Sequence, residues 1–235
     1  MQARLSDTAI LLFTHDADSE VNYKCFSPKS NRKINKQIAE SLIRSAERTI
    51  AKTNIPYFVI TTRYQSGNTF GERLTNAIQT VFEKGFEKVI VTGNDSPNLT
   101  SENLIDTKEL LYTNEIVIGP TIKGGTYLIG LTKNKFNKES FESLAWQSNQ
   151  LTQELINYAA NFSKNYYISE PLHEINTSED LRQYIDRFSI HSKLSRLLAL
   201  LIYRYSFESI YFPHKSQKEI IRYLFGITAP PELIS

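Results

Sequence analysis

The chain has 235 residues, 40% hydrophobic and 22% charged, with 27 Lys+Arg against 25 Asp+Glu. These are the proportions of a globular protein with room for one large domain or two small ones. A formal charge of +2 is too small for a nucleic-acid coat or a polybasic membrane tether. The single cysteine, Cys25, excludes an internal disulfide and a multi-cysteine zinc site. The longest apolar runs, 9–13 and 197–203, fall far short of the roughly 20 residues that span a bilayer. Asp7 stands just before the first apolar stretch and no small-residue cleavage site follows, so the start does not pattern as a signal peptide. A cytoplasmic protein is expected.

Thr8–Phe13 is a short continuous apolar run, the pattern of a strand buried on both faces. Ile34, Ile38, Leu42, Ala46 and Ile50 recur every four residues and predict an amphipathic helix over about 33–52. Pro56–Thr62 is β-branched and aromatic, a second strand. Gly71–Lys84 returns to helical spacing through Leu74, Ala77, Ile78, Val81 and Phe82, with Gly85 placed to end it. Lys88–Thr92 predicts a third strand, Leu104–Leu111 a helix, and Glu115–Gly119 a fourth strand. Strands separated by helices of ten or so residues imply βαβ crossovers and an α/β fold, a mostly parallel sheet with helices on both faces.

Beyond that point the pattern changes. Thr126–Leu131 is a strand that follows the fourth after the short link 120–125, so the two either pair as a hairpin or sit apart in one mixed sheet. Helices are predicted near 138–144 and 147–162, then a strand at Tyr166–Ile168. Thr177-Ser-Glu-Asp180 patterns as a capping box opening a helix to about 187. Ile190–Arg204 and Ser216–Phe225 pattern as helices joined by the aromatic stretch Phe207–Phe212. The expected division is a sheet domain over 1–185 and a helical extension over 186–235. Seven Lys+Arg against four acids in the extension are too thin a surplus for nucleic acid. Its aromatic residues suit packing on the sheet domain, a second copy of the chain in a homodimer, or a protein partner.

In an open, mostly parallel sheet, ligands sit beyond the carboxyl ends of the strands. Four segments fall there: 15–28, 65–73, 92–97 and 120–125. Asp95 follows a strand and a glycine and precedes Pro97, where a carboxylate can hold a divalent cation against a diphosphate; the same tetrapeptide is also ordinary turn chemistry. Gly124-Gly125 lets a backbone approach a ligand closely or simply connects two strands. Glu72 and Arg73 open a helix, where Glu72 favours the positive dipole end. The four histidines, His15, His173, His191 and His214, form no metal-binding spacing. No nucleophile elbow, dinucleotide fingerprint or P-loop is present.

Taken in order, Gln65…Gly71-Glu72-Arg73-Leu74, Gly93-Asn-Asp95-Ser-Pro97-Asn-Leu99, Gly119-Pro120…Gly124-Gly125-Thr-Tyr127-Leu-Ile-Gly130, Trp146 and Glu174-Ile-Asn176-Thr177…Asp180-Leu181 resemble the motifs of a bacterial glycosyltransferase family. That family has the GT-A-like, nucleotide-diphospho-sugar transferase fold. More distantly the chain resembles 2-phospholactate guanylyltransferase and molybdenum cofactor cytidylyltransferase. The resemblance covers about residues 8–185. It implies a nucleotide or nucleotide-sugar ligand and transfer of a glycosyl or nucleotidyl group. On that transferase reading Asp95 and Lys123 are the catalytic candidates, Glu72, Arg73, Gly124, Gly125 and Lys24 bind substrate, and Asp95 with Asn176 holds a Mg2+ or Mn2+ ion; of these, only Asp95 keeps the acid that the family has at a metal position.

The chain departs from the family pattern at charged positions. The family's Lys-Thr-Arg corresponds to Tyr23-Lys24-Cys25, which loses the arginine. Aspartates are replaced by Thr69, Lys123 and Asn176. Two unit charges about 4 Å apart interact by roughly 4 kcal/mol at an effective dielectric near 20, so a lysine in place of an aspartate disfavours a neighbouring divalent ion. Two readings follow: a transferase that is impaired or atypical in its metal use, or a catalytically degenerate relative that binds a nucleotide or a protein.

Overall fold

The computed structural model describes residues 6–27, 31–188 and 192–210. Strand β1 (Thr8–Phe13) alternates its side chains between two faces, and all six residues are buried. Ala9, Leu11 and Phe13 pack with residues of helices α3 (Phe70–Glu83), α5 (Lys138–Glu142) and α6 (Leu151–Phe162). Ile10 and Leu12 pack on the opposite side with Ile50 of α2 (Arg32–Ala51) and Leu104 of α4 (Ser101–Leu110). A strand covered on both faces has no need of polar residues, which is why its sequence is a continuous apolar run.

The other strands are β2 (Tyr57–Ile60), β3 (Lys88–Thr92), β4 (Ile116–Pro120), β5 (Thr126–Thr132) and β6 (Tyr166–Ile168). They form one sheet in the order β2-β1-β3-β5-β4-β6. β1 pairs parallel with β2 and β3, and β4 pairs parallel with β6. β5 runs antiparallel to both β3 and β4, so the 120–125 link closes a hairpin whose second strand is inserted between β3 and β4. The sheet is thus mixed but mostly parallel, as expected.

Most helix boundaries fall where capping chemistry places them. The Asn31 side chain accepts from the backbone N–H groups of Lys33 and Ile34 at the start of α2. Thr69 caps α3 and Thr100 caps α4. Helix α7 (Ser178–Phe188) opens on the expected capping box: the Asp180 N–H donates to Thr177 Oγ1 at 3.2 Å, and the Asp180 carboxylate accepts from the Thr177 N–H at 3.0 Å.

Three expectations are corrected. Segment 15–28 is not wholly irregular, because Asp16 caps a short helix α1 (Ala17–Glu20). The helix expected from 147 begins at Leu151, since Gln147 lies at φ +64° and residues 144–150 form a turn. Helix α8 (Lys193–Ile210) runs through Phe207, which is therefore helical rather than part of a linker. The helix expected at Ser216–Phe225 lies outside the described residues. Leu198, Ala199 and Ile202 of α8 are buried with Ile34, Ile38 and Leu42 of α2 and with Leu181, Tyr184 and Ile185 of α7. That third cluster, with Phe26 and Ile175, lies beneath the loops that carry the site.

Candidate functional site

Three loops are knitted together at the carboxyl ends of β1 and β3. Thr14, next after β1, donates its hydroxyl to Asn94 Oδ1 at 2.8 Å, and both residues are buried. Gln65 Nε2 donates to the Thr14 carbonyl at 2.9 Å, which ties in the loop after β2. The Ile175 N–H donates to the Asp95 carbonyl at 2.7 Å. Cys25 and Thr177 form an isolated parallel bridge. These backbone ties set Lys24, Asp95, Glu174 and Asn176 around one opening.

The opening is a cleft of about 480 Å³ with two unlike walls. Lys24, Asp95, Lys123, Gly125, Glu174 and Asn176 line one part, and Phe13, Phe70, Leu74, Trp146 and Leu151 line another. The Trp146 indole is fixed: its Nε1 donates to the Phe141 carbonyl at 2.8 Å, and its ring lies 5.6 Å from that of Phe70. Gly71 makes this possible, because a Cβ there would stand 2.9 Å from Trp146 Cδ1 and 2.3 Å from the Glu142 carbonyl oxygen. His15 and Tyr23 stack at 4.8 Å in the same cleft.

The charged part is organised by two lysines. Lys24 bridges Glu20 Oε1, at 3.0 Å, and the carboxylate of Asp95. The Glu20 side chain is 2% exposed and that of Lys24 16%. Burial pushes the Lys24 ammonium down, but the Asp95 and Glu20 carboxylates outweigh it and hold the amine above its ordinary value, firmly charged. Asn94 Nδ2 also reaches Glu20 Oε1, at 3.4 Å. Lys123 pairs with Asp180 Oδ1 at 2.5 Å, with its own side chain 51% exposed. Burial pushes Asp180 up, yet the Lys123 ammonium, the Asn176 N–H and the Thr177 side chain pull its carboxyl below the usual range. Glu174 goes the other way: burial raises it most and the Asp95 charge adds to that, while the Thr121 hydrogen bond and the charges of Lys123 and Lys24 oppose without cancelling the rise.

The expected site residues thus divide. Asp95, Lys123, Asn176, Lys24 and Gly125 line the one cleft. Glu72 and Arg73 are not among its lining residues. The Glu72 carboxylate accepts from the Asn68 N–H at 2.6 Å and Arg73 donates to the Asn68 carbonyl at 3.1 Å, so both hold the 65–70 loop against α3. Gly124 lies behind the lining. It has φ +88°, a Cβ on it would come within 2.0 Å of the Asn149 carbonyl oxygen, and its own carbonyl accepts from the Thr152 N–H at 2.9 Å. The two glycine amides are not free for a ligand as expected: Gly124 N–H donates to the Thr121 carbonyl and Gly125 N–H to Thr121 Oγ1.

Glu20 was absent from the sequence expectations, although Glu20 and Lys24 stand at the i,i+4 spacing of a helical ion pair. Glu174 entered only as part of the family motif and with no role in the site; no spacing rule brings it to Asp95, because the Ile175–Asp95 tie is tertiary.

For Mg2+ or Mn2+, Asp95 and Asn176 offer one carboxylate and one amide, and the ammonium of Lys24 lies on that carboxylate. Among the described residues, no three His, Cys, Asp or Glu side chains come together as a metal site. Magnesium demands near-ideal octahedral oxygen ligation, so this donor set does not fit it.

Residues 39–148 match a family described as an uncharacterized protein conserved in bacteria (DUF2064). No curated protein matches the chain. Among solved structures, a provisionally assigned nucleotide-diphospho-sugar transferase from Desulfovibrio desulfuricans G20 superposes with a TM-score of 0.72 at 18% identity, over 85% of this chain and 98% of that one. A protein from Mycobacterium sp. strain JC1, homologous to one of Mycobacterium tuberculosis, gives 0.48 at 10% identity over 83% and 100%. A cytidylyltransferase from Leptospira borgpetersenii serovar Hardjo-bovis gives 0.41 at 14% identity over 86% and 95%. No described helix is long and apolar enough to cross a membrane. The chain has the nucleotide-diphospho-sugar transferase (GT-A-like) fold, and its residues 39–148 match the uncharacterized bacterial family.

Proposed function

We propose that the cleft binds a nucleoside di- or triphosphate compound and that the protein transfers its nucleotidyl or glycosyl group. The observation that carries this reading is the convergence of Lys24, Asp95, Lys123 and Asn176 on one opening beside an aromatic wall, at the carboxyl ends of β1 and β3. Fold likeness to a provisionally assigned nucleotide-diphospho-sugar transferase supports it.

In this reading Lys123 is the mobile charge. Its exposed side chain swings from Asp180 to a phosphate oxygen, and Asp180 keeps two backbone N–H donors when it leaves. Lys24 stays in place and offers the N–H that Glu20 and Asp95 leave unused, since an ammonium has three donors. A flat ring on the ligand packs against Phe70 and Trp146, where stacking adds to apolar burial.

The test is a thermal-shift and calorimetry panel of UDP-, GDP- and CDP-sugars and nucleoside triphosphates, each with Mg2+, Mn2+ or EDTA. Stabilisation by at least one member is expected, with affinity lowered about tenfold in Lys123→Ala, the loss of one charge-assisted contact. If no member shifts the melting temperature at millimolar concentration, the transferase reading is abandoned. The catalytically degenerate reading gains from the same ion pairs: Asp95 is already neutralised by Lys24. Binding without turnover of any nucleotide sugar or triphosphate would decide for it.

A further inference from the structure

We infer that Lys24 is the resident cation of this cleft: its ammonium fills the seat that Glu20 and Asp95 form, to the exclusion of a divalent ion. The inference rests on the proposed function only for its consequence, that phosphate-bearing ligands bind there without metal.

Two carboxylates reach one point from different elements. Glu20 ends α1, Asp95 lies three residues beyond β3, and 74 residues separate Glu20 from Asn94, which steadies the Glu20 carboxylate from Asp95's own loop. Glu20 is all but sealed from water. A buried carboxylate needs a counter-charge, and leaving it unpaired is strongly unfavourable. A surface ion pair has no such requirement. Lys24 supplies the charge from one helical turn away, so the seat comes already filled when the chain folds.

The seat is also placed for a ligand. Lys24, Glu20 and Asp95 all line the cleft, and the polar side chains around them include Asn176 and Lys123. One positive charge against two carboxylates leaves a net negative charge, to which Glu174 adds. That residual charge opposes an anion, and Lys123 at the rim counters it once its ammonium turns from Asp180 to the ligand. A second cation drawn in by the residual charge would have to displace Lys24 from Asp95, and would then leave the ammonium facing the ion.

The experiment starts with the unaltered protein. Mn2+ binding is followed by electron paramagnetic resonance, and inorganic pyrophosphate binding by calorimetry in EDTA and in Mg2+. No Mn2+ is expected to bind at millimolar concentration, and pyrophosphate affinity should agree within about threefold between the two buffers. Lys24→Gln then vacates the seat and should gain one Mn2+, which the double variant Lys24→Gln/Asp95→Asn loses again. If circular dichroism shows Lys24→Gln unfolded, Lys24→Met, which keeps the apolar stem, takes its place. Stoichiometric Mn2+ binding by the unaltered protein that Asp95→Asn abolishes would overturn the inference. So would a folded Lys24 variant that gains no Mn2+, or pyrophosphate bound about tenfold more tightly with Mg2+. Pyrophosphate that binds under neither condition counts against the proposed function, while the Mn2+ results still decide the seat.

Discussion

The cleft holds two lysine–carboxylate pairs that differ in how much water reaches them. At the exit of β1, Lys24 is clasped by two acids, one of them buried. At the β4–β5 turn, Lys123 is half exposed and holds an aspartate that two backbone N–H groups already satisfy. The first pair cannot open without stranding a charge in a poorly hydrated place. The second can open at little cost, because water receives the ammonium and the backbone keeps the carboxylate. One region supplies a fixed charge and the other a movable one, although both would look alike as a lysine near an acid.

That contrast can be broken most severely at the first pair. Lys24→Ala should destabilise the protein by about 3 kcal/mol, the lower end for removing one partner of a buried pair, measured by urea unfolding. A loss below about 1 kcal/mol would mean that Glu20 reaches water and that the two pairs are equivalent.

Gly124→Ala attacks the second region through its backbone. The left-handed φ and the encounter with the Asn149 carbonyl should cost about 2 kcal/mol, read by the same unfolding curves. Tolerance of alanine there would show that the turn is not clamped to α6.

Lys123→Ala should cost below about 1 kcal/mol, the usual value of an exposed pair, while it weakens nucleotide binding. A variant that loses stability as much as Lys24→Ala does would erase the distinction.

The smallest effect sharpens the comparison by pH. The folded-state affinity of Glu174 for its proton is raised, so its contribution to stability is greatest below the unfolded value near 4.5 and is lost as pH rises through the folded value. Glu174→Gln should therefore raise the melting temperature slightly near pH 7, by an amount worth less than about 1 kcal/mol, and change little near pH 4. The same variant should tighten pyrophosphate binding at neutral pH. Asp180 has the opposite sign: its contribution is present above the unfolded value near 3.8 and is lost as pH falls through the lowered folded value. The acid limb of a stability profile should accordingly move in Asp180→Asn and stay in place in Glu174→Gln.

The strands and helices of the sheet unit were legible in the residues themselves. Ile34 to Ile50 at intervals of four, and the apolar run at β1, bury the faces that their periods assign. Thr177 and Asp180 announce a helix start from a spacing of three. Such features depend on neighbours within a turn or two of the chain, and local geometry carries them. Asp95 and Lys123 could be named in advance because strand exits collect ligand-facing residues in this class of sheet, whereas Asn176 was picked out only by the family motif it departs from.

What they touch could not be read in the same way. The insertion of β5 between β3 and β4, the Ile175–Asp95 tie and the turn of Glu72 and Arg73 toward Asn68 join segments that are distant in the chain or free to point either way. The amino-acid order determined the periods, the caps and the strand exits, because each is settled by a few adjoining residues. Only the tertiary structure decided that a lysine rests on Asp95 and that a buried glutamate makes it stay there. A charge finds its partner through space, and burial, which sets the strength of that hold, is a property of the packed whole.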